Sequence, residues 1–411
     1  NFTKASLTTT GENAKIDFEE ADLDGADFTK ASLTTEGTRA TINFEDTSMR
    51  NVDFRAASLT TGIHAAGDRS QIDFEHASMD GANFAKASLT TLRGRSEIDF
   101  EDVHAHAADF SSAKIATGGW DSAANFEDAS MGHAKFNDAS VTTAAGSVFH
   151  DDHDANGGEH RHDANVKFEG AFLPYADFTA ASLSTAGSEE QDYSDSTDVL
   201  FEHANLRHAV FTAASLGTTG DNADVDFEYA YMPHADFSSA LLTTKGNSSE
   251  VDFDHTSVDG GVFTDASIAT SRNFSDIDMN DAVLESADFT RASLTTVGDE
   301  ADINVVDTNL TYADLSAATL STRGRDADID FYEGNLTGAK FEEASLTTKG
   351  NESEIDFEDA DLTGANFGKA SLTTKGKESA GYYGSLEFLY ADLTGANFEE
   401  ASLATEGEDA G

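Results

Sequence analysis

Residues 16–35 read IDFEE ADLDG ADFTK ASLTT, and cutting them into fives sets Phe18, Leu23, Phe28 and Leu33 at the centres. Two places before each centre stands a smaller apolar residue: Ile16, Ala21, Ala26 and Ala31. A period of five matches neither an amphipathic helix nor a long alternating strand. Within each five, however, residues two apart share one side of an extended backbone. The apolar pair therefore points one way, and Asp17, Asp22, Asp27 and Ser32 point the other. Four such fives describe four short sides of a coil lined inside by Ala, Phe and Leu.

The last five recurs with its alanine at Ala5, Ala31, Ala57, Ala87, Ala113, Ala139, Ala181, Ala214, Ala240, Ala266, Ala292, Ala318, Ala344, Ala370 and Ala401. Ten of these fourteen intervals are 26 residues, and the others are 30, 42, 33 and 31. Twenty residues make the sides and six remain for a corner loop. That loop carries Gly at or beside its second place (Gly11, Gly37, Gly94, Gly246, Gly298, Gly324, Gly350) and Ala or Ser at its fifth (Ala14, Ala40, Ser96, Ser249, Ala301, Ala327, Ser353). Glycine suits a bend with positive φ. A unit that cannot bury its apolar face alone must stack on copies of itself, which predicts an all-β parallel solenoid of about fifteen coils spanning 1–411 as a single domain.

The fives ADLDG ADFTK, ADLTGANFGK and ADLTGANFEE resemble the pentapeptide repeat family. That resemblance implies a right-handed quadrilateral β-helix with the central Leu or Phe stacked inside. The regular six-residue corner departs from the family pattern.

Net charge then changes the picture. The chain carries 77 acidic against 25 basic residues, a formal −52. With coils about 4.8 Å apart, fifteen make a rod of roughly 70 Å, or about one negative charge per 1.4 Å, comparable to duplex DNA. Two uses follow: solvation in brine, where the Debye length shrinks to about 3 Å at 1 M, or imitation of nucleic acid. There is no Cys, hence no disulfide or thiolate metal site. No apolar run approaches a membrane span, and no signal peptide is visible. The chain opens on Asn1 inside a coil, which suggests a portion of something longer.

Corner extensions interrupt the period at 62–71, 144–165, 186–198 and 375–385. The largest reads AAGSVFHDDHDANGGEHRHDAN. In it Asp152, Asp154 and Asn156 alternate, Gly157 follows, and Asp163 takes the twelfth place from Asp152. This resembles the D-x-D-x-[DN]-G loop, whose alternate oxygens wrap calcium and whose Gly permits the tight turn. His150, His153, His160 and His162 in the same loop are alternative imidazole ligands for a transition metal, and a solvated loop holding no metal is the third possibility. The corner above it offers Asp192, Asp195 and Asp198, where solvation is the simpler expectation. Tyr382 and Tyr383 are candidates for a contact surface, and Trp120 for packing over a corner. Six N-x-S/T sequons, at Asn1, Asn247, Asn273, Asn309, Asn335 and Asn351, would allow glycosylation.

Stacking turns every outward position into a column. One is acidic, with Asp17, Asp73, Asp99, Asp226, Asp252, Asp278, Asp330 and Asp356; another runs through Asp27, Asp53, Asp109, Asp177, Asp236, Asp288 and Asp314. The fourth side gives Ser and Thr, a regularity that resembles ice-binding solenoids but is explained more plainly by hydroxyls bonding between coils. Carboxylate pairs occur everywhere, so none marks a catalytic site, and no phosphate loop, zinc spacing or basic patch stands out. The expectation is a non-enzymatic structural or interaction rod from a halophile: a segment of an extracellular, cell-surface or virion-surface fibre, filament or adhesin. It would associate end to end, with glycans or a cell surface as further partners and no nucleic acid. The alternative is an acidic DNA mimic that binds a type II topoisomerase, as some members of the resembled family do.

Overall fold

The computed structural model describes residues 1–62, 69–92, 94–119, 121–145, 163–187, 196–376 and 384–406. Two compact units are distinguished: Asn1–Val210 with Ser215–Ala223, and Phe211–Ala214 with Asp224–Gly411. Both are parallel solenoids without an α-helix among the described residues.

In the first unit the fourth sides form strands such as Ser32–Glu36, Ser58–Thr61 and Ser88–Thr91, and the first sides form Thr41–Asn43, Gln71–Asp73 and Glu97–Asp99. Equivalent residues pair directly: Leu33 with Leu59, Leu59 with Leu89, and Ile42 with Ile72. The long insertion does not shift the register, because Val141 still pairs with Leu183. In the second unit Leu346 pairs with Leu372 and Ile329 with Ile355. The second and third sides differ from the expected strands. They pair through one residue per coil, as in Asp22 with Ser48 and Asp27 with Asp53, because a corner follows every fifth residue. Fifteen fourth-side strands accompany fourteen first-side ones among the described residues. The first coil lacks its opening sides, so the coil count falls slightly below the expected fifteen.

Within each unit the inward residues make a column. Phe28, Leu33, Phe44, Met49, Phe54 and Leu59 are buried, whereas Phe18 and Leu23 in the first coil are half-buried. First-side and third-side phenylalanines stack separately. Phe44, Phe74, Phe100 and Phe126 have centroids 5.0, 4.7 and 4.8 Å apart with planes within 5°. Between the two stacks the rings meet edge to face, as Phe100 and Phe110 do at 5.6 Å and 89°. Both geometries suit the ring quadrupole. Ala105, which replaces the usual Leu, is fully buried. Met79 and Met131 take the same place in the coils on either side, where flexible thioethers fill irregular space.

Each corner is a turn with its fifth residue in the left-handed region: Glu20 at φ 55°, Gly25 at 65° and Lys30 at 57°. Ala31 N–H closes the turn on the Phe28 carbonyl at 2.8 Å. A positive φ at this place defines a type II turn. It costs a non-glycine residue about 1–2 kcal/mol, offset where the strained Lys30 N–H reaches the Arg55 carbonyl in the next coil at 2.9 Å. The corner-loop glycines have two separate reasons. Gly37 sits at φ 138°, as expected. A Cβ on Gly324 would lie 1.6 Å from the Gly298 carbonyl oxygen, so there close stacking of backbones requires glycine.

Candidate functional site

The column of Asp27, Asp53, Asp109, Asp177, Asp236, Asp288 and Asp314 turns out to be structural. Each carboxylate accepts the N–H two residues on, at 2.8 to 3.0 Å. These short side chains brace the corner as Asx turns. The sequon residues Asn309 and Asn335 brace corners likewise, accepting the N–H of Thr311 and Thr337.

The first side is different. Its strand exposes alternate residues, so three adjacent columns face outward in each unit. In the second unit these include Asp224, Glu250, Asp276, Asp302, Asp328 and Glu354, then Asp226, Asp252, Asp278, Asp330 and Asp356, then Glu228 and Asp254. Crowding removes water from the carboxylates. Burial, reinforced by neighbouring carboxylates, pushes the acids of Glu250 and Asp328 up to about 8, Asp252 and Asp276 to about 7, and Asp278 and Asp302 to about 6. In the first unit the same causes raise Asp99 to about 8, Glu97 to about 7 and Asp73 to about 6. Three groups bring one carboxylate oxygen per residue within 4.8 Å of one another: Asp73, Glu75 and Asp99; Glu250, Asp276 and Asp278; Asp356, Glu358 and Glu387. Oxygen-only sets of this kind suit hard cations.

The innermost column also controls the backbone. In the first five first-side strands the residue before the apolar position is Lys15, Thr41, Gln71, Glu97 or Ala123. There the preceding carbonyls of Ala14, Ala40, Ser70 and Ser96 accept the next coil's N–H at 2.9 to 3.1 Å. The buried hydroxyls of Thr9, Thr35, Thr61, Thr91 and Thr117, at the end of the fourth side, then have no hydrogen-bond partner. Where this residue is Asp or Asn, the side chain takes over. Asn165 accepts the Asp198 N–H at 2.9 Å, Asp276 that of Asp302 at 2.7 Å, Asp302 that of Asp328 at 2.7 Å, and Asp328 that of Glu354 at 2.6 Å. The released carbonyls of Ala164, Ser275, Ala301 and Ala327 accept the hydroxyls of Thr143, Thr270, Thr296 and Thr322 at 2.5 to 2.6 Å. Glutamate reaches less well. Before Glu250 the Ser249 carbonyl accepts the Thr244 hydroxyl at 2.9 Å, and before Glu354 the Ser353 carbonyl accepts that of Thr348 at 3.5 Å. One acceptor of the right length thus closes two hydrogen bonds per coil.

A pair of valine substitutions tests this exchange. Thr296→Val leaves the Ala301 carbonyl without its donor and is expected to cost about 1–3 kcal/mol, whereas Thr35→Val removes an unmatched hydroxyl and is expected to be neutral or stabilising. Urea unfolding midpoints of the two variants measure the difference. Equal losses would show that the exchange carries no energy.

Of the proposed calcium ligands, Asp152, Asp154 and Asn156 lie outside the described residues, as do His150, His153, His160, His162, Asp192, Asp195, Trp120, Tyr382 and Tyr383. Asp163 is half-buried, and its carbonyl accepts the Ser122 N–H at 2.9 Å. Asp198 is buried on the first side. The sequence reading did not single out the three-column face or the exchange. The signal available was the residue type just before each first-side Ile or Val.

Among the described residues no helix is long and apolar enough to cross a membrane. The family described as pentapeptide repeats matches the chain in eight copies, at residues 14–35 and 353–374. No curated protein matches. Among solved structures, HetL, a pentapeptide repeat protein involved in heterocyst differentiation regulation from the cyanobacterium Nostoc sp. strain PCC 7120, is 21% identical. That match covers 68% of this chain and 88% of HetL, with a TM-score of 0.25. Full-length QnrB1, a plasmid-mediated fluoroquinolone resistance protein, is 18% identical over 58% of this chain and 84% of its own, with a TM-score of 0.21. With repeats matched at 14–35 and 353–374 and a four-sided parallel coil formed around inward Phe and Leu, the chain carries pentapeptide repeats folded as a right-handed β-helix.

Proposed function

We propose that the chain is a non-catalytic structural and interaction element, a repeat segment of an extracellular, cell-surface or virion-surface fibre, filament or adhesin that works in concentrated salt. The crowded first-side carboxylates carry this reading. Ionising neighbours stacked about 4.8 Å apart costs roughly 0.9 kcal/mol per pair even in water, and more where burial lowers the dielectric. Molar salt or bound cations offset that cost, so the face suits brine and is a burden in dilute buffer. Coils continue one another through backbone hydrogen bonds, and further coils stacked end to end would lengthen the element. Calcium at Asp152, Asp154, Asn156 and Asp163 belongs to the same proposal.

Charge spacing favours one second reading, an acidic mimic of DNA that binds a type II topoisomerase. Stacked carboxylates recur at intervals of about 4.8 Å in several columns, giving a charge density in the range of a duplex. One set of measurements separates the two. The structural reading expects unfolding on transfer from 2 M NaCl to dilute buffer, a lower melting temperature with EDTA, and no effect on DNA supercoiling. Inhibition of the topoisomerase at stoichiometric amounts would overturn it in favour of the mimic.

A further inference from the structure

The innermost column of the first side narrows at one place in the first unit. Gln71, Glu97, Ala123 and Asn165 lie over one another in register, and of these four Ala123 has no polar side chain. A cavity of about 540 Å³ borders it. That volume lies within the roughly 300–1,000 Å³ of small-ligand sites.

The walls are charged in both senses. Arg69, Arg95 and Lys167 bring donors, and Glu97, Asp121 and Asp163 bring acceptors. Three cations meet here in a chain that has 25. Arg95 Nε stands 3.6 Å from Asp121 and Lys167 Nζ 3.9 Å from Glu169, both beyond hydrogen-bond length. Asn165 uses its side-chain oxygen to accept the Asp198 N–H, so its amide nitrogen is the donor that remains. Burial raises the Glu97 acid to about 7, so near neutral pH its carboxyl serves as acceptor or donor. Ser122, 3% exposed, also borders the cavity, and its hydroxyl has no hydrogen-bond partner among the described residues.

This lining selects by exclusion. Arg69, Arg95 and Lys167 repel a metal ion. A small anion would face Glu97, Asp121 and Asp163 in a chain of charge −52. An apolar ligand would strip water from these charges and return no hydrogen bond. A neutral ligand whose groups each donate and accept satisfies both kinds of wall, and hydroxyls have that property. We infer that the cavity beside Ala123 binds a neutral sugar. The inference deepens the proposed function and rests on it for its role: an extracellular element would hold a surface glycan at this place.

Saturation-transfer NMR of the full chain in molar NaCl tests it, with glucose, galactose, mannose and N-acetylglucosamine as probes and inorganic phosphate as competitor. At least one sugar is expected to bind with a Kd of about 1 mM, undisplaced by phosphate. Ala123→Gln, whose side chain enters the cavity, should raise that Kd about tenfold or more. The fold already takes glutamine in this column at Gln71, so the variant tests the cavity and not the coil. Lys167→Met keeps the stem, removes the donors and should raise the Kd about fivefold. Ala123→Ser stays small and should leave it within about twofold. No binding by any of the four sugars, binding that Ala123→Gln leaves unchanged, or displacement by phosphate overturns the inference. The rod reading survives such a result, because its own test is unfolding in dilute buffer. Sugar binding by a chain that stays folded in dilute buffer would keep this site and remove the role in brine.

Discussion

Phe100→Ala should lower the unfolding free energy by about 4 kcal/mol or more, enough to be decisive in a urea titration. The ring is fully buried. It stacks on Phe74 at 4.7 Å and Phe126 at 4.8 Å, and meets Phe84 and Phe110 edge to face at 6.2 and 5.6 Å. Truncating a core Phe costs about 3–5 kcal/mol, and each aromatic pair adds about 0.5–1.5 kcal/mol beyond its area. In a solenoid each coil touches only its neighbours, so the cavity cannot be filled from elsewhere. Phe100→Leu, which keeps most of the volume, is expected to cost about half as much. A loss below about 1 kcal/mol for the alanine variant would mean that the stacked column does not hold the coils together.

The second large effect is an inverted response to pH. Ordinary proteins gain stability as their carboxylates ionise, because paired or hydrogen-bonded acids have lowered folded-state values. Here Glu250, Asp252, Asp276 and Asp328 are raised to about 7 or 8 in the folded state. The folded chain then binds more protons than the unfolded one, so their contribution is fully present below about pH 4 and is lost as pH rises through about 6 to 8. Acids held low, such as Asp314, where hydrogen bonds from Ser316 and then Lys340 outweigh partial burial, act oppositely and lose their contribution as pH falls below about 4. Thermal melts in 0.1 M salt should therefore peak near pH 5 and fall by more than about 5 °C by pH 8, corresponding to about 2 kcal/mol. Raising NaCl to 2 M should recover the part due to neighbouring charge, leaving the part due to burial. Asp328→Asn keeps an acceptor for the Glu354 N–H, as Asn165 does for Asp198, and should stabilise the chain at pH 8 by about 2 kcal/mol. A melting temperature that rises steadily from pH 5 to pH 8 would refute this account.

Much of this was legible from particular residues. The spacing from Phe18 to Phe28 to Phe44 placed these rings in one inward column, because alternation fixes which side of a short strand a residue faces; their sorting into two stacks came from the structure. The type II corners were less legible. Glu20 and Lys30 occupy positive φ without being glycine, and their N–H groups are held by carbonyls of the adjoining coil. The acidic columns were also visible as columns, but their roles were not. Asp27 and Asp302 look alike in the sequence. One braces its own corner, and the other holds the next coil's backbone and frees a carbonyl for Thr296.

By itself, then, the sequence determined the coil, its inward column, the register of 26 and the hydroxyl-rich fourth side, since each follows from local alternation repeated along the chain. Only the tertiary structure decided which carboxylates lose their water and which backbone groups exchange partners. Those properties depend on what an adjoining coil places within a few ångströms, and the spacing of residues along one coil does not specify it.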